Sequence, residues 1–215
     1  MSQPVGRVPQ RRNARSNRAR ILATARQELG RNPDITLDEL ARASGVVRRT
    51  LFGHFPGRAA LLEALAEEAA EALQAAVAVE TKATESPELA LAYFSLSMWP
   101  VGDRYRMLLA LAQRDLGRER VAEILEPARA KVTAILERGQ RAGVFHSHLP
   151  PAALSAGLEG MTVALLEEIN TGVLEDDGTQ VAIATLIAAG VPEKRACAVA
   201  EDAAAAVASE VGTGG

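Results

Sequence analysis

The chain has 215 residues, of which 48 % are hydrophobic and 24 % charged, an ordinary composition for a soluble globular protein. It lacks an apolar run of about 18 residues, so we expect no membrane span, and its single cysteine fits a reducing cytoplasm. Ala, Leu, Glu and Arg dominate, whereas aromatic residues make up only 3 %. This composition favours helices over strands and predicts an all-α protein.

The net charge of −3 hides a strong asymmetry between the two parts of the chain. Residues 1–58 contain 12 arginines and four acidic residues, which gives a local net charge of +8. The remaining 12 basic and 23 acidic residues give residues 59–215 a net charge of −11. Neutralising the phosphates of a nucleic acid requires a local cluster of cations, so the basic N-terminal part is the candidate nucleic-acid binder.

The first 15 residues mix Pro, Gly, Gln and Arg without periodicity, and we expect a disordered basic arm over residues 1–15. Such an arm can lie along phosphates or in a minor groove, or it can simply be a solubilising tail. Ser16 is a candidate N-cap for a helix over residues 17–29. The predicted buried face of this helix consists of Ile21, Leu22, Ala25 and Leu29.

Residues 36–58 carry the pattern of a helix-turn-helix. Thr36 and Glu39 have the spacing of a capping box at the start of a short helix. Gly45 follows as a residue that tolerates a left-handed turn, and a second short helix is predicted over residues 47–53. Two short helices joined by such a turn, the second one basic on its outer side, are typical of a DNA-binding motif. The residues predicted to face outward are Arg48, Arg49, Thr50 and His54.

The rest of the chain shows further helical periodicity. A long helix is predicted over residues 58–80, and another begins at Ser86 and Pro87 and ends at Met98, before Trp99 and Pro100. Five more helices are expected: residues 103–115, one after Gly117, residues 152–170, one around residues 181–188, and one from Pro192. The predicted domains are therefore the arm at 1–15, a DNA-binding domain at 16–57, and an all-helical effector-binding and dimerisation domain at 58–215.

The run Thr-x-x-Glu-Leu-Ala-x-x-Ser-Gly-Val-x-x-x-Thr-Leu-Phe-x-His-Phe-x-x-Arg-x-x-Leu-Leu, over residues 36–62, resembles the DNA-binding region of TetR-type transcriptional regulators. The helical layout is also similar, with three N-terminal helices, a long fourth helix and a helical C-terminal bundle. The resemblance implies a homodimer that binds a palindromic operator in double-stranded DNA, usually as a repressor that a small-molecule effector releases. We expect no cofactor and no metal.

The resemblance also implies roles for single residues. Thr36 matches the position that caps the second helix and often touches a phosphate, and His54 matches a common DNA-backbone contact. Arg58 stands where the family usually has a lysine, at the N-terminus of the fourth helix, where an anion is favoured. Arg48, Arg49 and Thr50 match positions of the recognition helix that face the major groove, and Phe52 stands where the family usually has a tyrosine whose hydroxyl could bond a phosphate. Arginine suits such a role because its fork can bond O6 and N7 of guanine.

Two residues depart from the family pattern. Phe52 replaces the usual tyrosine and lacks its hydroxyl group. Val47 replaces the usual Ser or Thr before the recognition helix, and the lost cap is expected to cost about 1 kcal/mol.

The C-terminal part suggests an effector pocket and a dimer interface, each with an open alternative. The scarce aromatics and methionines predicted to line a pocket are Phe94, Met98, Trp99, Tyr105, Met107 and Met161, although a plain core would use the same residue types. The apolar positions predicted to face a partner subunit are Leu154, Leu158, Met161, Leu165, Val181, Ala184 and Ile187, although they also suit internal packing. A regulator without an effector, acting through DNA or another protein, is the second hypothesis.

An enzyme is the third class that the sequence allows us to weigh. His146 and His148 present two imidazoles in one loop, but the sequence offers no further ligand at a spacing that completes a metal site. The sequence shows no Gly-rich phosphate loop, nucleophilic serine elbow or Cys–His pairing. Cys197 falls in a predicted helix, where a cysteine usually behaves as a small core residue. We therefore do not expect an enzyme.

Overall fold

The computed structural model describes residues 8–78 and 86–213 of the chain, with side chains for 13–78 and 86–209. These described ranges contain nine α-helices and no strand, which confirms the all-α prediction. The helices are α1 Val8–Arg31, α2 Leu37–Ala43, α3 Arg48–His54, α4 Arg58–Ala78, α5 Pro87–Asp115, α6 Arg118–Arg141, α7 Pro151–Asn170, α8 Thr179–Ala188 and α9 Glu193–Thr213.

The helix predicted from Ser16 begins earlier than expected. Helix α1 starts at Val8, so the prediction of a disordered arm is wrong for residues 8–15, while residues 1–7 lie outside the described residues. Pro9 falls in the first turn, where a missing N–H costs nothing, and the residues after it are mostly good helix formers. The exposed Ser16 is consequently a residue within the helix and not its cap.

The helix break predicted at Trp99 and Pro100 is also wrong, because α5 continues through both residues. A proline in a helix interior removes one backbone hydrogen bond and costs about 3 kcal/mol. Burial on either side of Pro100 offsets this cost: Leu96 before it and Leu108 after it are each under 10 % exposed, at 8 % and 7 %.

The chain divides into two compact units. Unit 1 combines the chain up to Glu68 with Met107–Val121. Within it α1, α2 and α3 contact one another. The buried face predicted for the first helix is confirmed, since Ile21, Leu22, Ala25 and Leu29 are at most 3 % exposed. The boundary predicted at residue 58 falls inside this unit, because Leu61, Leu62 and Leu65 of α4 are buried as well.

Unit 2 comprises Ala69–Arg106 and the chain from Ala122 onward. Its core is formed by apolar residues of α5 to α9, and α8 contacts both α7 and α9. Leu154, Leu158 and Val181 belong to this core and are only 3–4 % exposed. They are thus buried within one chain, and their assignment to an interface between subunits is corrected.

None of the described helices is both long and apolar enough to cross a membrane.

Candidate nucleic-acid interface

The capping box predicted at the start of α2 is confirmed. The Thr36 hydroxyl accepts a hydrogen bond from the Glu39 N–H at 3.3 Å, and the Glu39 carboxylate accepts one from the Thr36 N–H at 2.9 Å. The same carboxylate accepts from the Thr36 hydroxyl at 2.7 Å, and these bonds hold the pKa of Glu39 below its usual value. Both donors of Thr36 are therefore used within the cap. A phosphate contact at Thr36, as the resemblance implied, requires displacement of this carboxylate.

The turn between α2 and α3 is fixed by backbone geometry. The buried Ser44 hydroxyl donates to the Leu40 carbonyl oxygen at 2.6 Å, and the Val46 N–H donates to that of Ala41 at 3.0 Å. Gly45 has a φ of 64°, the left-handed conformation predicted for this position. The turn thus sets the direction in which α3 leaves α2.

Helix α3 is anchored on one side and exposed on the other. Leu51 and Phe55 are buried at 0 % and 2 % exposure, and the Arg18 guanidinium lies 5.6 Å from the centre of the Phe55 ring. Val47 is the N-cap but makes no side-chain capping bond, as expected for its residue type. Its side chain is 69 % exposed. The first turn of α3 therefore presents its side chains to solvent.

The two arginines that open α3 have different surroundings. Nη1 of Arg48 lies 2.9 Å from Oδ2 of Asp38 on α2, and its guanidinium lies 5.1 Å from the centre of the Phe52 ring. Arg49 is exposed, and none of the described residues bonds to its guanidinium. The contact between Asp38 and Arg48 is not evident from the sequence, because the two residues are ten positions apart and only the turn brings them together.

Thr50 and His54 are half-buried on the same short helix. The His54 ring lies beside that of the buried Phe55, with 6.2 Å between the ring centres. These two residues border the exposed surface of α3, while Val47, Arg48 and Arg49 form its most accessible part.

The Arg58 side chain forms hydrogen bonds within unit 1. Its guanidinium donates to the carbonyl oxygens of Pro33 and, at 3.2 Å, Ile35, and to the Asp115 carboxylate at 3.4 Å. It thereby connects the start of α4 to the α1–α2 loop and to the end of α5. Each guanidinium nitrogen of Arg58 already has one acceptor within unit 1, so the predicted phosphate contact would use the remaining N–H donors or displace an acceptor, and it stays a prediction.

The residues predicted to line an effector pocket fall in different units. Met107 is in unit 1, is 41 % exposed, and lies against Gly30 of α1. The other five are in unit 2, where Trp99 lies against Gly178, the N-cap of α8, and the Arg104 guanidinium lies 5.5 Å from the centre of the Tyr105 ring. We therefore remove Met107 from the predicted set, which leaves Phe94, Met98, Trp99, Tyr105 and Met161.

The histidine pair occupies a structural position in unit 2. The rings of His146 and His148 are stacked with their centres 3.8 Å apart. Nε2 of His146 lies 2.9 Å from the Ala188 carbonyl oxygen at the C-terminus of α8. Among the described side chains, no group of three or more His, Cys, Asp or Glu is placed to hold a metal ion.

Comparison with known proteins supports the family suggested by the motif. Residues 21–65 match the sequence profile of the bacterial regulatory proteins of the tetR family. A direct comparison with curated proteins finds no significant match.

Solved structures of similar fold include several regulators. A bacterial regulatory protein in the tetR family from Rhodococcus RHA1 is 18 % identical, with a TM-score of 0.69 over 82 % of this chain and 98 % of that one. The fatty acid degradation regulator FadR from Bacillus halodurans is 14 % identical, with a TM-score of 0.68 over 87 % and 97 %. RolR in complex with resorcinol is 20 % identical, with a TM-score of 0.56 over 88 % and 95 %. At these identities the similarity shows the shared fold.

The helix-turn-helix of unit 1, with the exposed basic side of α3, has the architecture of a DNA-binding domain. Residues 21–65 match the N-terminal region of tetR-family regulators, in agreement with the motif at residues 36–62, and the chain shares its fold with solved structures of such regulators.

Proposed function

We propose that the chain is a cytoplasmic repressor that binds a palindromic operator as a homodimer and is released by a small-molecule effector. The exposed first turn of α3 carries the proposal, because it offers Arg48 and Arg49 to base edges while Leu51 anchors the helix from behind. The N-terminal residues of a recognition helix are those that contact bases in the major groove. The local charge of +8 over residues 1–58 supports phosphate attraction.

A homodimer requires apolar surface that remains accessible in one chain. On α7 and α8 such surface is provided by Ile187, which is 43 % exposed, and by the half-buried Met161, Leu165 and Ala184. We retain these four residues as the proposed interface. Two recognition helices of a dimer read half-sites about 34–36 Å apart, and the twofold symmetry of the dimer predicts that these half-sites form a palindrome.

The proposed effector site lies in unit 2, around the aromatic and methionine residues of α5. The RolR structure contains resorcinol, and this supports a small aromatic molecule as the first class of effector to examine. An effector would act by favouring a conformation in which the two recognition helices no longer match the half-site spacing.

Selection of bound duplexes from a random DNA pool with the purified chain tests this proposal. We expect an enriched palindrome and a particle mass of two chains by light scattering. Enrichment of no sequence at low salt would overturn the DNA-binding role. An enriched sequence with a monomeric particle would overturn only the dimer. A thermal-shift screen of small aromatic molecules, followed by release of the operator, tests the effector.

A further inference from the structure

Asp38 places a carboxylate beside the surface that α3 presents to DNA. It lies in the first turn of α2, whereas Arg48 is the first residue of α3, and their Oδ2 and Nη1 atoms are 2.9 Å apart. Phe52 follows Arg48 by four residues, so its ring lies on the same side of α3, 5.1 Å from the guanidinium carbon. Despite both contacts the Arg48 side chain is 70 % exposed.

These contacts add little to folding stability, because an exposed ion pair and an exposed cation–π contact are weak in water. Their effect is on orientation. A free arginine side chain samples many rotamers, and binding DNA must restrict them. With the Asp38 carboxylate 2.9 Å from Nη1 and the Phe52 ring centre 5.1 Å from the guanidinium carbon, Arg48 samples fewer orientations than a free arginine before DNA arrives.

The donors that remain on Arg48 suit a particular acceptor. A guanidinium has five N–H donors, and the closest approach of Asp38 is to Nη1, at 2.9 Å, while the Arg48 side chain as a whole remains 70 % exposed. The fork of a held arginine matches O6 and N7 of guanine in the major groove. Arg49 differs, since none of the described residues restricts its guanidinium.

We infer that Asp38 is a specificity-determining positioning residue, which together with Phe52 holds the Arg48 guanidinium in the orientation that reads one guanine of each half-site. The inference rests on the proposed function, namely that α3 enters the major groove. Asp38 also cancels the charge of Arg48 at long range, so the pair adds little to the phosphate attraction that all sequences share. The carboxylate therefore increases the difference between operator and other DNA.

Asp38→Asn tests this role, with Asp34→Asn as a matched control. Asp34 is in unit 1, its side chain is 87 % exposed, and its ion-pair partner is Arg114 and not a residue of α3. Both variants remove one negative charge, so both should bind scrambled duplex DNA slightly more tightly. Asp38→Asn alone should lower the ratio of operator to scrambled affinity, by about fivefold or more.

An atomic test replaces each guanine of the half-site in turn with 7-deazaguanine, which lacks the N7 acceptor. One replacement should weaken binding of the unaltered protein about fivefold or more, and it should have a much smaller effect on Arg48→Ala, which has no side-chain donor for N7. The same replacement should also have a smaller effect on Asp38→Asn. Thermal unfolding of each variant establishes that it is folded.

The outcomes separate the inference from the proposed function. Failure of the unaltered protein to select any duplex sequence overturns the proposed function. A selected operator with equal affinity ratios for Asp38→Asn and Asp34→Asn overturns the positioning role alone. Tighter binding of Asp38→Asn to operator and scrambled DNA by the same factor also overturns it, because Asp38 would then only compete with phosphates.

Discussion

The guanidinium of Arg58, the first residue of α4, lies 3.4 Å from the carboxylate of Asp115, the last residue of α5. The two residues are 57 positions apart in sequence and both belong to unit 1. The same guanidinium donates to the carbonyl oxygens of Pro33 and Ile35. Arg58 thus joins three segments of the DNA-binding unit, and its side chain is 32 % exposed.

Arg58→Met should destabilise unit 1 by about 1–3 kcal/mol, because it removes charge-assisted hydrogen bonds and leaves their acceptors without this donor. Methionine retains a flexible apolar stem, so the change acts mainly on the guanidinium. Urea unfolding followed by circular dichroism measures the effect. Arg118→Met, at the exposed first residue of α6, is the control and should change stability little. Equal midpoints for the two variants would contradict the role of Arg58.

Asp115 also predicts a dependence of stability on pH. The Nε of Arg114 donates to its carboxylate at 2.7 Å, and this bond, with a smaller contribution from Arg58, lowers the pKa of Asp115 below its ordinary value of 3.8. The folded carboxyl therefore binds a proton less readily than the unfolded one. Its stabilising contribution is complete above the unfolded pKa and is lost as the pH falls through the folded pKa.

Asp115→Asn should remove that contribution. The difference in unfolding free energy between the unaltered chain and the variant should be larger at roughly pH 6 than at roughly pH 3. Urea titrations at the two pH values measure this difference, and other acidic groups cancel in it as long as the substitution leaves them unperturbed. A difference that stays constant with pH would show that the Asp115 carboxylate gains nothing from its arginine neighbours.

The local motifs of the DNA-binding unit were predictable because they depend on short-range chemistry. The cap at Thr36 and Glu39 and the left-handed Gly45 follow from residue type and spacing alone. The role of Arg58 was not predictable, because its acceptors come from the α1–α2 loop and from Asp115, and only the fold brings them together. For the same reason the contact between Asp38 and Arg48 was not predictable.

The apolar periodicity of α7 and α8 predicts buried faces but leaves open which surface covers them. A helical stripe shows that one face is buried, but it does not show what covers that face. Leu154 and Val181 are covered by their own unit, whereas Ile187 is 43 % exposed. The helix break predicted at Pro100 does not occur, because burial of the flanking residues outweighs the low helix propensity of proline.

Arg49→Ala should weaken operator binding by about 1–3 kcal/mol and relax the preference for one base pair of each half-site. Arg49 is exposed, and the described residues offer its guanidinium no partner, so its removal should leave stability nearly unchanged. Gel-shift titrations with operator variants measure both effects. Arg42→Ala removes the same charge from the last turn of α2 and should weaken binding to all sequences alike. Unchanged affinity and preference in Arg49→Ala would exclude Arg49 from base recognition.

Gly178→Ala should destabilise unit 2 where the loop before α8 meets Trp99. Gly178 has a φ of 102°, and a Cβ atom there would lie 2.6 Å from Cγ of Trp99 and 3.0 Å from its Cβ. The backbone strain costs about 1–2 kcal/mol, and the displaced indole adds about 1–3 kcal/mol. Gly172→Ala separates these contributions, because Gly172 has a φ of 77° but no heavy atom within 4 Å of its added Cβ.

Trp99 is the single tryptophan of the chain, so tryptophan fluorescence reports how Gly178→Ala changes the surroundings of its indole ring. Gly178→Ala should shift the emission maximum, whereas Gly172→Ala should leave it unchanged. Urea unfolding should place Gly178→Ala below Gly172→Ala in stability, because only the former combines strain with a steric clash. If the two variants gave the same emission and the same midpoint, the close contact between Gly178 and Trp99 would not exist in solution.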